Sequence, residues 1–313
     1  MVGEKSDDLL VAPSVGVDFG VVRVRGEAGK VIIVSSDPVT GVEDLIGHYA
    51  VNVSANDVAT SGSRPRFLQS VILLPQDAGE RLVAKITSEM GRAAKKLGIT
   101  IVGGHTELTP KLTRPIVMTT VFTIAQTYVT AAGAKAGDSL MLTKSAAVEG
   151  TAILASQAPG LDEATRRRAQ GYFRKLSVVD EAVAAFETGR VHAMHDCTEG
   201  GVLGAAFEMA YASKLGFELL ERSVPISRET AAVCAGLRLD PLRLISSGTL
   251  MLAVEEGAEA EVADAVRKAG SRATVVGSFV PRRRGRFLVR RAGGRELIRE
   301  PPVDELWYWK RQK

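Results

Sequence analysis

Apolar residues recur along the chain with two spacings, one typical of helices and the other typical of strands. A helix is predicted over 77–97, because Leu82 and Ile86 begin a series of apolar residues three or four positions apart and Gly98 follows it. A second helix is predicted over 42–61, where the apolar positions follow a looser helical spacing. Short apolar runs bounded by turn residues predict strands at 15–24, 30–36, 66–74, 100–102 and 116–124.

The same mixture of strands and helices continues after a run of small residues at 131–138, which we interpret as a domain boundary. Beyond it, strands are predicted at 139–143, 217–220, 248–254 and 273–279. Helices are predicted at 148–157, 162–175, 179–188, 200–214 and 258–269. A chain of 313 residues, 45% hydrophobic and 24% charged, is long enough for two domains and apolar enough to bury a core. The pattern therefore predicts an α+β fold with two domains and excludes a disordered chain.

Net charge and cysteine content narrow the classes of protein further. The formal net charge of +4 is small for this length and does not favour a nucleic-acid partner. Arginines are concentrated over 282–291, which indicates either a solvated hairpin or a polyanion-binding patch. Cys197 and Cys234 are too few for a four-cysteine metal site, and a reducing compartment is the simplest interpretation. No apolar run has the length of a signal peptide or a membrane span, so we expect a cytoplasmic protein.

Four aspartates stand where the chain is predicted to change direction: Asp18, Asp37, Asp57 and Asp196. A carboxylate at a strand end is exposed enough to hold a hard cation, and the rigid backbone aims it. Mg²⁺ takes oxygen ligands and commonly bridges one or two carboxylates to substrate phosphates. Each aspartate could instead be an ordinary helix cap or a solvated side chain, and spacing alone does not bring the four together.

Two glycine pairs could approach an anion with their backbone N–H groups. Gly103 and Gly104 follow a predicted strand and precede Thr106, whose hydroxyl could add a further donor. Gly200 and Gly201 open a predicted helix, where the helix dipole favours a phosphate. A tight turn is the simpler explanation of the first pair, and close packing is the alternative for the second.

Two histidines and one cysteine have side chains that could carry reactivity. His105 and His195 could act as ligands or proton carriers, but no cysteine or glutamate stands beside them at the spacing of a transition-metal site. Cys197 follows Asp196 directly, and a neighbouring carboxylate raises the pKa of a thiol, which favours a buried structural cysteine over a nucleophile.

Five separated segments together resemble a known family. Residues 54–68 are similar to its segment ANDVAxSGAxPxYL, and residues 196–201 are similar to its segment DxTRGG. Residues 34–37, 103–106 and 234–255 stand in the places of its TTD, GGDT and CELLGLDPL…NEGKLV…VE segments. On these motifs, the chain resembles the hydrogenase maturation factor HypE, within the AIR-synthetase superfamily, over most of its length.

The resemblance implies a fold and an assembly. It implies an AIR-synthetase-like N-terminal domain over 1–130, which binds ATP, forms a homodimer and shares a β-barrel with its partner. An AIR-synthetase-like α/β sandwich domain would occupy 131–285, and a basic tail would occupy 286–313. The partners that the resemblance implies are a second copy, a nucleotide and an unidentified small molecule or protein.

The resemblance also implies chemistry in which ATP and Mg²⁺ activate or phosphorylate a small substrate. ATP would lie along a cleft, and the Mg²⁺ ligands would be Asp18, Asp37, Asp57 and Asp196. The nucleotide-binding residues would be Asn56, Gly103, Gly104, Thr106, Gly200 and Gly201. The catalytic residues would be Asp57, Asp196 and His105.

Several motif positions depart from the family pattern. The acid of GGDT is His105, the lysine after it is Glu107, and the Glu and Lys of NEGK are Ser247 and Thr249. HypE ends in a tail with a reactive cysteine, whereas this sequence ends Trp-Tyr-Trp-Lys-Arg-Gln-Lys. Two alternatives therefore stay open beside an activating enzyme. One is a kinase similar to thiamine-monophosphate kinase, and the other is a nucleotide-binding assembly or regulatory protein without turnover.

Overall fold

A computed structural model describes residues 6–40, 42 and 44–311, which divide into two compact units. The N-terminal unit contains the chain up to Pro13 together with Phe19–Tyr128. The C-terminal unit contains Ser14–Asp18 and the chain from Val129 onward. Each unit holds one β-sheet with helices packed against it. In the described part of the chain, no helix combines the length and apolarity that crossing a bilayer requires.

The N-terminal unit is built on a six-stranded sheet with the order β1-β2-β3-β6-β4-β5. Its strands are β1 (Leu9–Val11), β2 (Gly20–Arg23), β3 (Val31–Val39), β4 (Phe67–Pro75), β5 (Thr100–Thr109) and β6 (Ile116–Ala125). Only the pairing of β4 with β5 is parallel. The strands predicted at 30–36, 66–74 and 116–124 are confirmed, whereas the strand predicted at 15–24 was wrong over its first half. Residues 14–18 belong to the other unit, and strand geometry begins only at Gly20.

Two helices, α1 (Ile46–Ala59) and α2 (Glu80–Leu97), cover one face of this sheet. Alternate residues of β6, such as Val117 and Val121, are fully buried on that face. Gly98 ends α2 with a φ of 70°, which confirms the predicted left-handed cap. The sheet of a single chain is open, so the barrel shared with a partner stays a prediction.

The predicted turn at Gly103–Gly104 is wrong, because β5 continues through both glycines to Thr109. Here β5 pairs with β4, and the register shifts between Leu68 and Gln69. Gly104 lies so close to β4 that a Cβ on it would stand 2.3 Å from the Ser70 carbonyl oxygen. The glycine is therefore required by a close approach of two strands rather than by a turn.

We expect Gly104→Ala to lower the free energy of unfolding by about 1–3 kcal/mol, the usual cost of forcing extra atoms into a packed site. Gly103→Ala is the matched control, since a Cβ at that position would meet nothing within 4 Å. Urea denaturation of both variants measures the difference. Equal stability of the two variants would contradict the close approach.

The C-terminal unit is built on a seven-stranded sheet with the order β13-β12-β9-β11-β7-β10-β8. Its strands are β7 (Ser139–Thr143), β8 (Val191–Asp196), β9 (Leu215–Leu220), β10 (Leu250–Val254), β11 (Ala273–Pro281), β12 (Arg286–Val289) and β13 (Arg295–Leu297). Its helices are α3 (Val148–Leu154), α4 (Glu163–Gln170), α5 (Val179–Glu187), α6 (Gly201–Ala212), α7 (Arg228–Leu237), α8 (Glu259–Lys268) and α9 (Glu305–Arg311). Sequence patterning missed β8 and α7.

Helices cover both faces of this second sheet, which makes the C-terminal unit an α/β sandwich. On β7, Leu140 and Leu142 face the core that α6 completes. On the opposite face, the Ser139 hydroxyl donates a hydrogen bond to Glu259 of α8, and the Thr143 hydroxyl donates one to Glu181 of α5. A separate apolar cluster joins α3, α4, α7 and α9.

The last described residues are part of this unit's packing. Residues 286–297, which lie within the segment expected as a basic tail, form β12 and β13, and β12 pairs in parallel with β9. Leu306 of α9 is 2% exposed in the cluster of α3, α4 and α7. Apolar burial therefore continues well beyond 285.

Candidate functional site

A buried histidine held between two carboxylates is the main polar feature of the C-terminal unit. His195 Nδ1 lies 2.6 Å from Asp18 Oδ1, and His195 Nε2 lies 2.7 Å from Glu208 Oε2. The side chains of His195 and Asp18 are 5% and 7% exposed, and that of Glu208 is 30% exposed. The protonated imidazole donates its Nε2–H to Glu208, and its Nδ1 stands in close ionic contact with Asp18.

The surroundings of His195 favour its charged form. Burial by itself lowers the pKa of His195, but the charges and hydrogen bonds of Asp18 and Glu208 outweigh burial and raise that pKa well above its ordinary value. The imidazolium is therefore a fixed positive charge among carboxylates rather than a free proton carrier.

Asp196 stands beside this trio at the end of β8. Donor atoms of Asp18, His195 and Asp196 all lie within 4.8 Å of one another, a spacing that suits a bound metal ion. Because both nitrogens of His195 face carboxylates, the ligands that the cluster offers are oxygens. Carboxylate oxygens suit Mg²⁺, so the residues fit this ion better than a transition metal.

Local backbone structure explains why these side chains meet. Asp196 is the last residue of β8 and pairs with Leu250 of β10, so the rigid edge of the sheet aims it. Glu208 lies on α6, and Gly16 packs against it so closely that a Cβ on Gly16 would stand 2.8 Å from the Glu208 carbonyl oxygen. Gly16 has a φ of 76°, and this glycine lets the segment 14–18 carry Asp18 to the histidine.

The N-terminal unit gathers a second set of predicted residues. The Ser35 hydroxyl donates to Asp57 Oδ2 at 2.7 Å, and both side chains are buried between β3 and α1. Asp37 lies two residues beyond Ser35 in β3 and so shares its face of the sheet. Asn56 is fully buried on α1 beside Asp57. Asp37 is not at a strand end as predicted, since β3 continues to Val39.

The other predicted residues of this unit lie on β5. His105 Nε2 lies 3.3 Å from Glu107 Oε2, and both side chains are more than half exposed. Gly103, Gly104 and Thr106 line a cavity of about 300 Å³ together with His105 and residues of β4 and α2. These residues therefore stand on a strand edge rather than in a loop that encloses an anion.

Gly200 and Gly201 have partners of their own in the C-terminal unit. The Gly200 N–H donates to Asp304 Oδ2 at 2.7 Å, so a carboxylate of the chain itself holds the start of α6. A Cβ on Gly201 would stand 2.6 Å from the Leu244 carbonyl oxygen. The structure therefore gives both glycines a role in close packing, and their contact with a phosphate stays a prediction.

Both cysteines are buried, as a structural role requires. Burial, reinforced by the charges of Asp196, Asp18 and Glu208, raises the pKa of Cys197 well above its ordinary value. Burial likewise raises the pKa of Cys234 to about 12. Neither thiol is a ready nucleophile.

Sequence reasoning missed Glu208, because nothing in the spacing of α6 marks it. An acidic residue inside an otherwise apolar helix was the available signal, since Val202–Phe207 and Met209–Ala210 are all buried apolar residues or glycine.

Comparisons with known proteins find similarity over most of the chain. Residues 16–125 match the family model of the AIR synthase related protein N-terminal domain, and residues 135–290 match that of the C-terminal domain. The carbamoyl dehydratase HypE of Rhodobacter capsulatus is 31% identical over 267 residues, which cover 83% of this chain and 77% of that protein.

Solved structures show the same architecture. The crystal structure of Escherichia coli HypE, a hydrogenase maturation protein, superposes with a TM-score of 0.76 at 26% identity and covers 88% of this chain and 87% of its own. A structure of HypE in complex with ATP has a TM-score of 0.75 at 23% identity, with 90% of this chain and 88% of that chain covered, and shows likeness of fold.

Proposed function

Since this chain belongs to the AIR synthase related protein family, we propose that it is a HypE-like protein that uses ATP and Mg²⁺ to activate or phosphorylate a small substrate. The observation that carries this proposal is the buried cluster of Asp18, His195, Glu208 and Asp196. Contacts within the protein hold its carboxylates in fixed positions, and metal sites depend on such contacts to orient their ligands.

The charge of the cluster supports Mg²⁺ in particular. One carboxylate oxygen of Asp18 contacts His195, and this contact fixes the orientation of the Asp18 carboxylate. His195 also keeps the net charge of the buried group from becoming prohibitively negative. Mg²⁺ bound by Asp18 and Asp196 would neutralise phosphate charge and orient the transferring group.

The N-terminal unit holds the other acidic residues that the resemblance implies for Mg²⁺. Asp57, oriented by Ser35, and Asp37 on the same face are proposed as further Mg²⁺ ligands. The residues proposed as nucleotide contacts are Asn56, Gly103, Gly104 and Thr106, and in the C-terminal unit Gly200 and Gly201. His105, exposed and paired with Glu107, is proposed as a proton carrier for the substrate.

We propose that the group to be activated belongs to a separate molecule and is not the thiol of Cys197 or Cys234. Both cysteines are buried and both have raised pKa values, so neither presents a thiolate for activation. An oxygen or thiol nucleophile supplied by a separate small molecule or partner protein fits the proposed chemistry.

The test of this proposal is calorimetric titration of the protein with ATP, with and without Mg²⁺. We expect binding that requires Mg²⁺, and slow phosphate release that rises when the right substrate is added. A protein that binds no ATP under either condition would contradict the proposal. Binding without any Mg²⁺-dependent phosphate release, across candidate substrates, would favour the regulatory alternative.

The exposed face of the first sheet supports a homodimer. Opposite α1 and α2, partly exposed apolar side chains continue across the sheet, among them Met118 at 37% and Ile124 at 52% exposure. At the sheet edge, β5 exposes Ile101, Val102 and Leu108 and has a free pairing edge. A long apolar edge strand invites pairing, and a second copy offers the same surface in return.

We expect Ile124→Lys to convert the proposed dimer into monomers, because a lysine on each copy would place unpaired charge in an apolar interface. Light scattering coupled to size exclusion measures the mass of the wild type and the variant. Leu297→Lys is the control, since Leu297 is 42% exposed in the other unit. A wild type that elutes as a monomer at micromolar concentration would rule out the dimer.

A further inference from the structure

The end of the described chain is fastened to the loop that follows Asp196. We call residues 302–309 the brace. Its Asp304 accepts the Gly200 N–H at 2.7 Å, and the Trp307 indole N–H donates to Glu199 Oε1 at 3.1 Å. Through these two contacts the brace holds Glu199 and Gly200, the last two of the four residues between Asp196 and α6.

The brace is seated by apolar burial at one point and is loosely packed around it. Leu306 is 2% exposed, and Trp309 packs against the same cluster. On the other side, a cavity of about 470 Å³ is lined by Pro302, Val303 and Tyr308, among others. An element held by a few buried side chains beside an open cavity has less packing to resist release than a core helix has.

Three carboxylates, one on the brace and two on the elements next to it, influence one another electrostatically. Asp304 is 4% exposed and Glu149 of α3 is 7% exposed, with Glu199 close enough to influence both. Among the described residues, no lysine or arginine forms an ion pair with any of the three. One oxygen of Glu149, Oε2, is buried without a hydrogen-bond partner. Burial without a cationic partner favours the protonated form of the Asp304 and Glu149 carboxyls.

The protonation of these groups follows from their surroundings. Burial raises the pKa of Glu149 to about 7, against the hydrogen bonds of Ser247 and with help from the charges of Asp304 and Glu199. Burial raises the pKa of Asp304 to about 6, although the N–H groups of Leu306 and Gly200 lower it. On the brace itself, Glu305 faces Asp240 and Arg243.

We propose that the brace positions the loop between Asp196 and α6, and that rising pH releases it through the neutral range. Gly200 and Glu199 are then positioned by a detachable part of the chain. The effect on Mg²⁺ at Asp196 rests on the proposed function, whereas the release of the brace does not. Ser247 stands where the resembling segment NEGK has its glutamate, and the carboxyl that contacts Ser247 here comes from Glu149 instead.

The direction of the pH dependence follows from linkage. The pKa values of Asp304 and Glu149 are raised while the brace is seated, so the seated state binds more protons than the released state. Seating is strongest at low pH, weakens as pH rises towards about 7, and changes little above that. Because each unit of pKa shift is a tenfold change in an equilibrium constant, Asp304 alone weakens seating by roughly 100-fold between pH 4 and pH 8.

Tryptophan fluorescence tests this directly, because both tryptophans of the chain, Trp307 and Trp309, lie in the brace. We expect acrylamide to quench the emission at least twofold more efficiently at pH 8 than at pH 5, while far-UV circular dichroism stays unchanged. Glu149→Gln keeps the shape of the side chain but cannot ionise, so its quenching should depend less on pH. Glu300→Gln, which changes an exposed acid next to the brace, is the matched control and should behave as wild type.

A Trp307→Phe variant separates release from local quenching by Glu199, because only Trp309 then reports. Quenching that is constant from pH 5 to pH 8 in the wild type would overturn the proposal, as would a Glu149→Gln curve identical to wild type. ATP affinity measured at pH 6 and pH 8 distinguishes the two proposals. If no ATP binds at either pH, the proposed function fails while the fluorescence result stands.

Discussion

His195→Leu is expected to lower the free energy of unfolding by roughly 3–5 kcal/mol, the usual result of removing one partner from a buried charge pair. The substitution removes the imidazolium that faces the buried carboxylate of Asp18. It also removes the ionic partner of Glu208, the acidic residue on α6. Since Asp196 adds a third carboxylate to the same cluster, the mutual repulsion of the acids increases the loss. Urea denaturation followed by circular dichroism measures the effect.

The matched control is His105→Leu in the N-terminal unit. His105 also pairs with a carboxylate, that of Glu107, but both side chains are more than half exposed. An exposed pair contributes about 0–1 kcal/mol, so this variant should unfold close to wild type. If the two substitutions cost the same, the cluster around His195 does not have the charges assigned to it.

Asp57→Asn is expected to lower Mg²⁺-dependent ATP hydrolysis by roughly 100-fold or more, which is typical for the loss of one charged group that acts on the transferring phosphate. The asparagine oxygen can still accept the Ser35 hydroxyl, so the fold around α1 should be kept. The loss should therefore appear in kcat and in Mg²⁺ affinity rather than in stability. Phosphate release at saturating ATP and varied Mg²⁺ measures it.

Asp264→Asn controls for the general effect of removing an aspartate. Asp264 lies on the surface of α8, where it pairs only with Arg267 and Lys268 among the described residues. Such a substitution should leave hydrolysis unchanged. If wild type and Asp57→Asn release phosphate equally slowly while ATP still binds, the enzyme interpretation fails and the non-catalytic alternative stands.

The sequence identified most helices and strands because their periodicity reports local burial. The spacing in α2, with Gly98 after it, and the compact apolar runs of β4 and β7 needed no long-range information. Where the sequence erred, a distant partner had decided the conformation. Gly103 and Gly104 are typical of a turn, but pairing with β4 extends the strand through them, and Gly104 is required by the Ser70 backbone.

The candidate site shows the same division. Asp18, Asp37, Asp57 and Asp196 could be selected from the sequence, because acidic residues at predicted changes of chain direction suit a hard cation and because the motifs around them resemble a family. What the sequence could not supply was Glu208, which completes the pair of carboxylates on His195 from a helix position with no distinctive spacing. The sequence also could not show that Asp304 accepts the Gly200 N–H at the start of α6, since the two residues lie 104 positions apart along the chain.

By itself, then, the sequence determined which residue types the protein carries, most of the segments that form helices and strands, and the family to which those segments belong. The tertiary structure alone decided that His195 is an imidazolium between Asp18 and Glu208, and that Glu149 and Asp304 are buried acids. The physical reason is that charge state depends on what surrounds a group in space. Burial and the distance to other charges are set by packing between residues far apart in the chain.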